Sequence, residues 1–82
     1  MEAFEAAAQA IRDKKPEMDQ EAQKTTYGLF KQAKEGDNTA ARPGMMSGPT
    51  AQGKWDAWEA QKGKSQEDAA AEYVEFTKQF LS

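Results

Sequence analysis

Tyr27, Phe30 and Lys31 stand at i, i+3 and i+4, so they share one face of a predicted helix. Two aromatic rings and an ammonium on one face can stack a flat ring and hold an anion. That face is turned a fraction of a turn from the stripe Ala22, Thr26, Leu29 and Ala33, the side a bundle would bury. Lys54 falls in the first turn of a later helix, beside uncapped amides and the positive end of the helix dipole. A cation is disfavoured there unless an anion arrives to satisfy both. Tyr73 brings a phenolic hydroxyl to an otherwise apolar stripe of the last helix. Each residue also has a plainer reading: Tyr27 and Phe30 as core, both lysines as solvated charges, Tyr73 as a core edge. Spacing alone leaves an anion-and-ring binding face and an ordinary bundle surface both open.

Other chemistry is excluded outright. The chain has no cysteine, hence no disulfide, thiol nucleophile or cysteine zinc site. It has no histidine, which removes the commonest general base and metal ligand and makes a Ser-His-Asp machine impossible. A net charge of −3 argues against nonspecific nucleic-acid binding, which needs clustered positive charge. The start carries Glu2 and Glu5 with no basic run, so it does not read as a secretory signal. The alanine stretch there falls far short of the roughly 20 residues that span a bilayer. A soluble, cytoplasmic protein is the expectation.

Four helices must position these residues. The first spans about Glu2 to Lys14, with Phe4, Ala8 and Ile11 at i, i+4 and i+7, and stops before Pro16. The second starts at an Asp19 N-cap and runs to Glu35, with Gly36 as a left-handed C-terminal residue. From Gly36 to Pro49, two prolines and three glycines leave no helix. Thr50 caps the third helix, which runs to Lys62 before Gly63, with Trp55 and Trp58 as core residues. Ser65 caps the fourth, which continues to about Leu81 with Ala69, Tyr73, Phe76 and Phe80 as its stripe. No strand alternation, repeat or second domain is visible. The reading is all-α, a four-helix bundle occupying residues 1–82 as one domain. Short links predict that helices 1 and 2, and helices 3 and 4, pack as antiparallel neighbours. The long middle loop can cross the bundle, leaving up-down-down-up beside plain up-down-up-down.

The core supply is thin. Of 82 residues, 15 are alanine and only eight are Leu, Ile, Val or Phe. That is low enough to suggest disorder if net charge were also high, and it is not.

At these residues the sequence resembles the acyl-CoA-binding protein family, also called the diazepam-binding inhibitor family. Three runs carry the resemblance: Tyr27-Gly28-Leu29-Phe30-Lys31-Gln32-Ala33, then Arg42-Pro43-Gly44-Met45, then Lys54-Trp55-Asp56-Ala57-Trp58. Gly36-Asp37, Asn38-Thr39, Lys62-Gly63, Ser65, Glu67-Asp68-Ala69 and Tyr73 continue it along essentially the whole chain. The resemblance implies an up-down-down-up bundle that binds long-chain acyl-CoA esters reversibly, with no covalent chemistry, cofactor or metal. Carried over by position, Tyr27, Lys31 and Lys54 would hold the 3′-phosphate of CoA. Phe30 would stack near the adenine, Tyr73 would contact the CoA moiety, and Arg12 matches a family lysine near the ligand. The acyl chain would lie in an apolar groove roofed by the CoA itself. A monomeric carrier is expected, with transient contact to membranes or acyl-CoA-using enzymes. The other class weighed is a helical interaction module with vestigial ligand binding.

The chain departs from the family pattern at four places. Phe30 stands where many members have tyrosine, Thr26 where a large apolar residue is usual, and Lys34 where a small one is usual. Ser47 to Gly53 carries an extra residue and lacks the lysine often ahead of Lys54. The link around Pro16 is also rearranged, and no ligand contact is assigned within it.

Overall fold

The computed structural model describes residues 2–81 and contains four helices: α1 Glu2–Lys14, α2 Gln20–Glu35, α3 Pro49–Glu59 and α4 Gln66–Leu81. Local signals account for three of them. Asp19 caps α2 by accepting the Ala22 amide at 2.8 Å, and Ser65 accepts the Asp68 amide at 3.0 Å ahead of α4. Helix α1 ends where Lys15 turns to a φ of 46°, one residue before Pro16.

Four local expectations are corrected. Gly36 does close α2, with the positive φ of 81° that favours glycine, but its ψ of −154° is extended and not that of a left-handed helical residue. The middle loop is not devoid of helix, because Met45–Ser47 form a 3-10 turn on which both methionines stand exposed. Thr50 is not the cap of α3; Gly48 is, and Pro49 occupies the first helical position, where its missing N–H costs nothing. Helix α3 also stops at Glu59, three residues early, and residues 60–63 form turns.

The helices do not pair as their links suggest. The extensive packing contacts are α2 with α4, α2 with α3, and α1 with α4; neither pair joined by a short link forms one. Directions follow from who meets whom. The Phe4 and Tyr73 rings lie 5.0 Å apart and Lys14 Nζ donates to the Leu81 carbonyl, so α1 and α4 run parallel. Gln66 Nε2, at the start of α4, donates to Ala33 and Lys34 carbonyls at the end of α2, so those two are antiparallel. Gln20 and Gln23 face Pro49 and Thr50, while Trp58 Nε1 reaches the Gly36 carbonyl, so α3 runs parallel to α2. The order is up-down-down-up. Parallel neighbours need a connection as long as the helix itself, which is the role of residues 36–48.

Among the described residues, Phe4, Ala8, Leu29, Ala33, Ala69, Ala70 and Tyr73 form the core, with Ile11, Phe30, Val74 and Phe76 against it. Two sequence expectations about core membership fail. Trp55 and Trp58 are only half-buried and lie outside the core; their indole N–H groups pin the middle loop, donating to Ala40 and Gly36 carbonyls at 2.8 Å each. On α4 the buried line is Ala69, Tyr73 and Thr77, while Phe76 and Phe80 pack on each other half-exposed. Thr77 is tolerated inside because its hydroxyl donates to the Tyr73 carbonyl at 2.8 Å.

A polar clamp ties the end of α2 to the turn before α4. Gln32, fully buried, donates to Asp37 at 2.8 Å and to the Lys64 carbonyl at 2.7 Å. Asp37 also accepts the Gly63 amide at 2.9 Å. That amide, then Gln32, holds the Asp37 carboxyl below its usual range, with Lys62 adding to the effect and desolvation opposing it.

Candidate functional site

Gly28 sets how closely α3 can approach α2. A Cβ at that position would lie 2.2 Å from the Ala57 carbonyl oxygen, so only glycine permits this packing. The close approach brings the first turn of α3 beside the first half of α2. A cleft of about 470 Å³ opens between them, with Gln20, Gln23, Lys24 and Tyr27 on one wall and Pro49, Thr50, Gly53 and Lys54 on the other. The Lys54 ammonium lies 5.7 Å from the centre of the Tyr27 ring, a cation–π distance. Two lysines and the start of α3 make this cleft a place for anionic groups.

On the other side of Tyr27 lies an apolar groove. Helix α1 contributes Ala8, Ile11 and Arg12, and α4 contributes Tyr73. Helix α2 contributes Gln23, Thr26, Tyr27 and Phe30, and Met18 closes the groove from the α1–α2 link. Thr26 is buried and its hydroxyl donates to the Met18 sulfur at 3.6 Å. Met18 therefore restores the apolar wall that Thr26 would leave thin. The sequence assigns no contact within the link around Pro16, and the structure sets Met18 of that link in the groove wall. Gln23 donates to the Met18 carbonyl at 2.8 Å and, with Tyr27, lines both recesses.

Five of the six sequence-predicted residues are thus placed in two adjoining recesses. Tyr27 and Lys54 flank the cleft; Arg12, Tyr27, Phe30 and Tyr73 line the groove. Lys31 lines neither: its ammonium pairs with Glu35 and sits 4.7 Å from the centre of the Trp58 ring. Phe30 packs against Phe4 and Tyr73, at 5.8 and 6.3 Å between ring centres, so one edge serves the core and the other the groove. Tyr73 is only 2% exposed and belongs to the core, so little of its ring faces the groove. Burial pushes its hydroxyl above the usual tyrosine range, and Arg12 pulls in the opposite direction.

Sequence reasoning passed over Gln23 and Lys24, although they precede Tyr27 by four and three residues on the same helix face. It also passed over Met18, for which no periodic signal exists. Among the described residues, no group of three acidic, histidine or cysteine side chains could hold a metal ion. None of their helices is long and apolar enough to cross a membrane.

A basic cleft and an apolar groove sharing one tyrosine wall define a small helical binding protein for an amphiphile with an anionic head. The family model described as Acyl CoA binding protein matches residues 1–77. The chain is 46% identical over 77 residues to the acyl-CoA-binding protein homolog of Drosophila melanogaster, covering 92% of this chain and 86% of that one. It is 41% identical over 81 residues to the acyl-CoA-binding protein of Saccharomyces cerevisiae, covering 96% and 90%. The crystal structure of Oryza sativa Acyl-CoA-Binding Protein 2 matches the fold with a TM-score of 0.87 at 40% identity, over 98% of this chain and 88% of that one. The chain belongs to the acyl-CoA-binding protein family.

Proposed function

We propose that this chain binds long-chain acyl-CoA esters without covalent chemistry, keeps them soluble and delivers them to lipid-metabolic enzymes. The observation that carries this reading is the pair of adjoining recesses, basic on one side of Tyr27 and apolar on the other. The phosphates would enter the cleft, where Tyr27 and Lys54 take the 3′-phosphate and Lys31 swings in to join them. The adenine would lie by Phe30, and Tyr73 and Arg12 would meet the rest of the ligand where groove and cleft join. Each CH₂ withdrawn from water into the groove is worth about 0.8 kcal/mol. Charge-assisted hydrogen bonds then orient the head group. Nothing in this task needs a nucleophile or an acid–base pair, so the protein acts as a binder and not an enzyme. Residues 1–82 act as one domain, as a cytoplasmic monomer that meets membranes or acyl-CoA-using enzymes only transiently. The reading of an interaction module with vestigial binding is not favoured, because Met18 rebuilds the groove wall at the departing position Thr26.

Titration with palmitoyl-CoA, followed by heat or by Trp55 and Trp58 fluorescence, is expected to show saturable one-to-one binding at micromolar concentration. Absence of saturation would end this reading. A series of esters with chains of about 8 to 22 carbons would then place the end of the groove, as the point where added CH₂ groups stop contributing.

A further inference from the structure

Lys31 lines neither recess and is instead paired with a carboxylate. Lys31 Nζ contacts Glu35 Oε2, four residues further along α2, while lying over the Trp58 ring. The Lys31 side chain is 22% exposed and that of Glu35 53%, so a ligand at the protein surface can reach the pair. Helix electrostatics make it easy to exchange. Lysine preceding glutamate is the weaker order for an i, i+4 pair, and Glu35 sits in the last turn of α2, where the dipole disfavours an anion. Lys31 stands four residues from Tyr27, about 6 Å along the helix axis, on a flexible four-carbon stem. A phosphate carries more charge and more acceptor oxygens than a carboxylate, and so outbids it for the ammonium.

We propose that Glu35 competes with the ligand phosphate for Lys31, holding that cation aside in the free protein and lowering the advantage of a phosphorylated head group. The proposal rests on the head-group reading above, in which Lys31 joins the phosphate site. Binding exchanges one anionic partner of Lys31 for another, and Glu35 sets how much of the phosphate contact survives as net affinity.

The test compares palmitoyl-CoA with its 3′-dephospho analogue on the wild type, Glu35→Gln, and Glu35→Gln combined with Lys31→Gln, by calorimetry. Glu35 makes no other hydrogen bond or ion pair among the described residues, so Glu35→Gln leaves the fold in place. Glu35→Gln is expected to tighten palmitoyl-CoA about two- to five-fold, the scale of an exposed ion pair. It should leave the dephospho ester unchanged, and the gain should vanish when Lys31 is also replaced. Equal tightening of both esters, no tightening of either, or a gain that persists without Lys31 overturns the proposal while the head-group reading stands. A wild type that does not distinguish the two esters overturns the head-group reading itself, and this proposal with it.

Discussion

Lys54 is exposed at the start of α3 and has no acidic partner among the described residues; its ammonium rests over the Tyr27 ring instead. A cation held by an aromatic face and a cleft, and not by a carboxylate, is ready to take an anion without first breaking a salt bridge. Lys54→Ala is therefore expected to weaken palmitoyl-CoA binding by about 1.5–3 kcal/mol, the range for hydrogen bonds to charged groups. The thermal midpoint of the free protein should barely move, since an exposed side chain is removed. A calorimetric titration beside a melting curve separates the two effects, and a loss of stability matching the loss of affinity would count against a direct contact. Lys31 differs because it already has a carboxylate partner, so its contribution to binding is a difference between two ion pairs.

At the scale of elements, the contact between α2 and α3 depends on one missing methyl group. Gly28→Ala gains about 1 kcal/mol of intrinsic helix preference. It also drives a Cβ to within 2.2 Å of the Ala57 carbonyl, and backbone cannot move aside as a side-chain tip can. Overpacking of this kind costs about 1–3 kcal/mol and should win. The denaturation midpoint is expected to fall, and ligand affinity should fall with it as Lys54 moves off Tyr27. A more stable Gly28→Ala protein would show that the two helices do not meet this closely. The clamp at the other end of α2 makes an acid-stability prediction. Asp37 and Asp56 are both held below the usual 3.8, by the Gly63 amide and Gln32 in one case and by Arg42 in the other. Their contribution is complete above that value and is lost as pH falls through the lowered ones. Urea midpoints should be flat down to about pH 5 and decline below about pH 4, with a shallower decline in Asp37→Asn.

The whole molecule is a slab of 38 by 27 by 16 Å with little in its interior. Among the described residues, five of the eight buried apolar side chains are alanines, so helices pack closely while burying little area. Low intrinsic stability follows, and the ligand becomes part of the energy balance. At a free ligand concentration of 100 times Kd, binding adds about 2.7 kcal/mol. At about 4–8 °C per kcal/mol for a domain of this size, Tm should rise by about 10–20 °C with saturating palmitoyl-CoA. A shift of a degree or two at saturation would mean that the unfolded chain binds the ester nearly as well.

Helix identity was legible along most of the chain because its causes are local: alanine-rich stretches, caps at Asp19 and Ser65, a proline at position 16. The face holding Tyr27, Phe30 and Lys31 was legible for the same reason, since their spacing is a property of five consecutive residues. Even the long middle loop pointed at a crossover, because chain length limits what a connection can span. Partner choice was not local. Nothing in the periodicity of α4 says that it packs on α1 and α2 and leaves α3, and the short links suggested other neighbours. The tryptophans looked like core by size, whereas tertiary packing used their N–H groups to pin a loop. Met18 entered the groove and Lys31 was drawn to Glu35 for one reason: both depend on which surfaces come within a few ångströms after the helices dock. The helices and the chemical character of their faces follow from local sequence. Which faces meet follows from docking of the folded helices, because burial and close contact couple residues far apart in the chain.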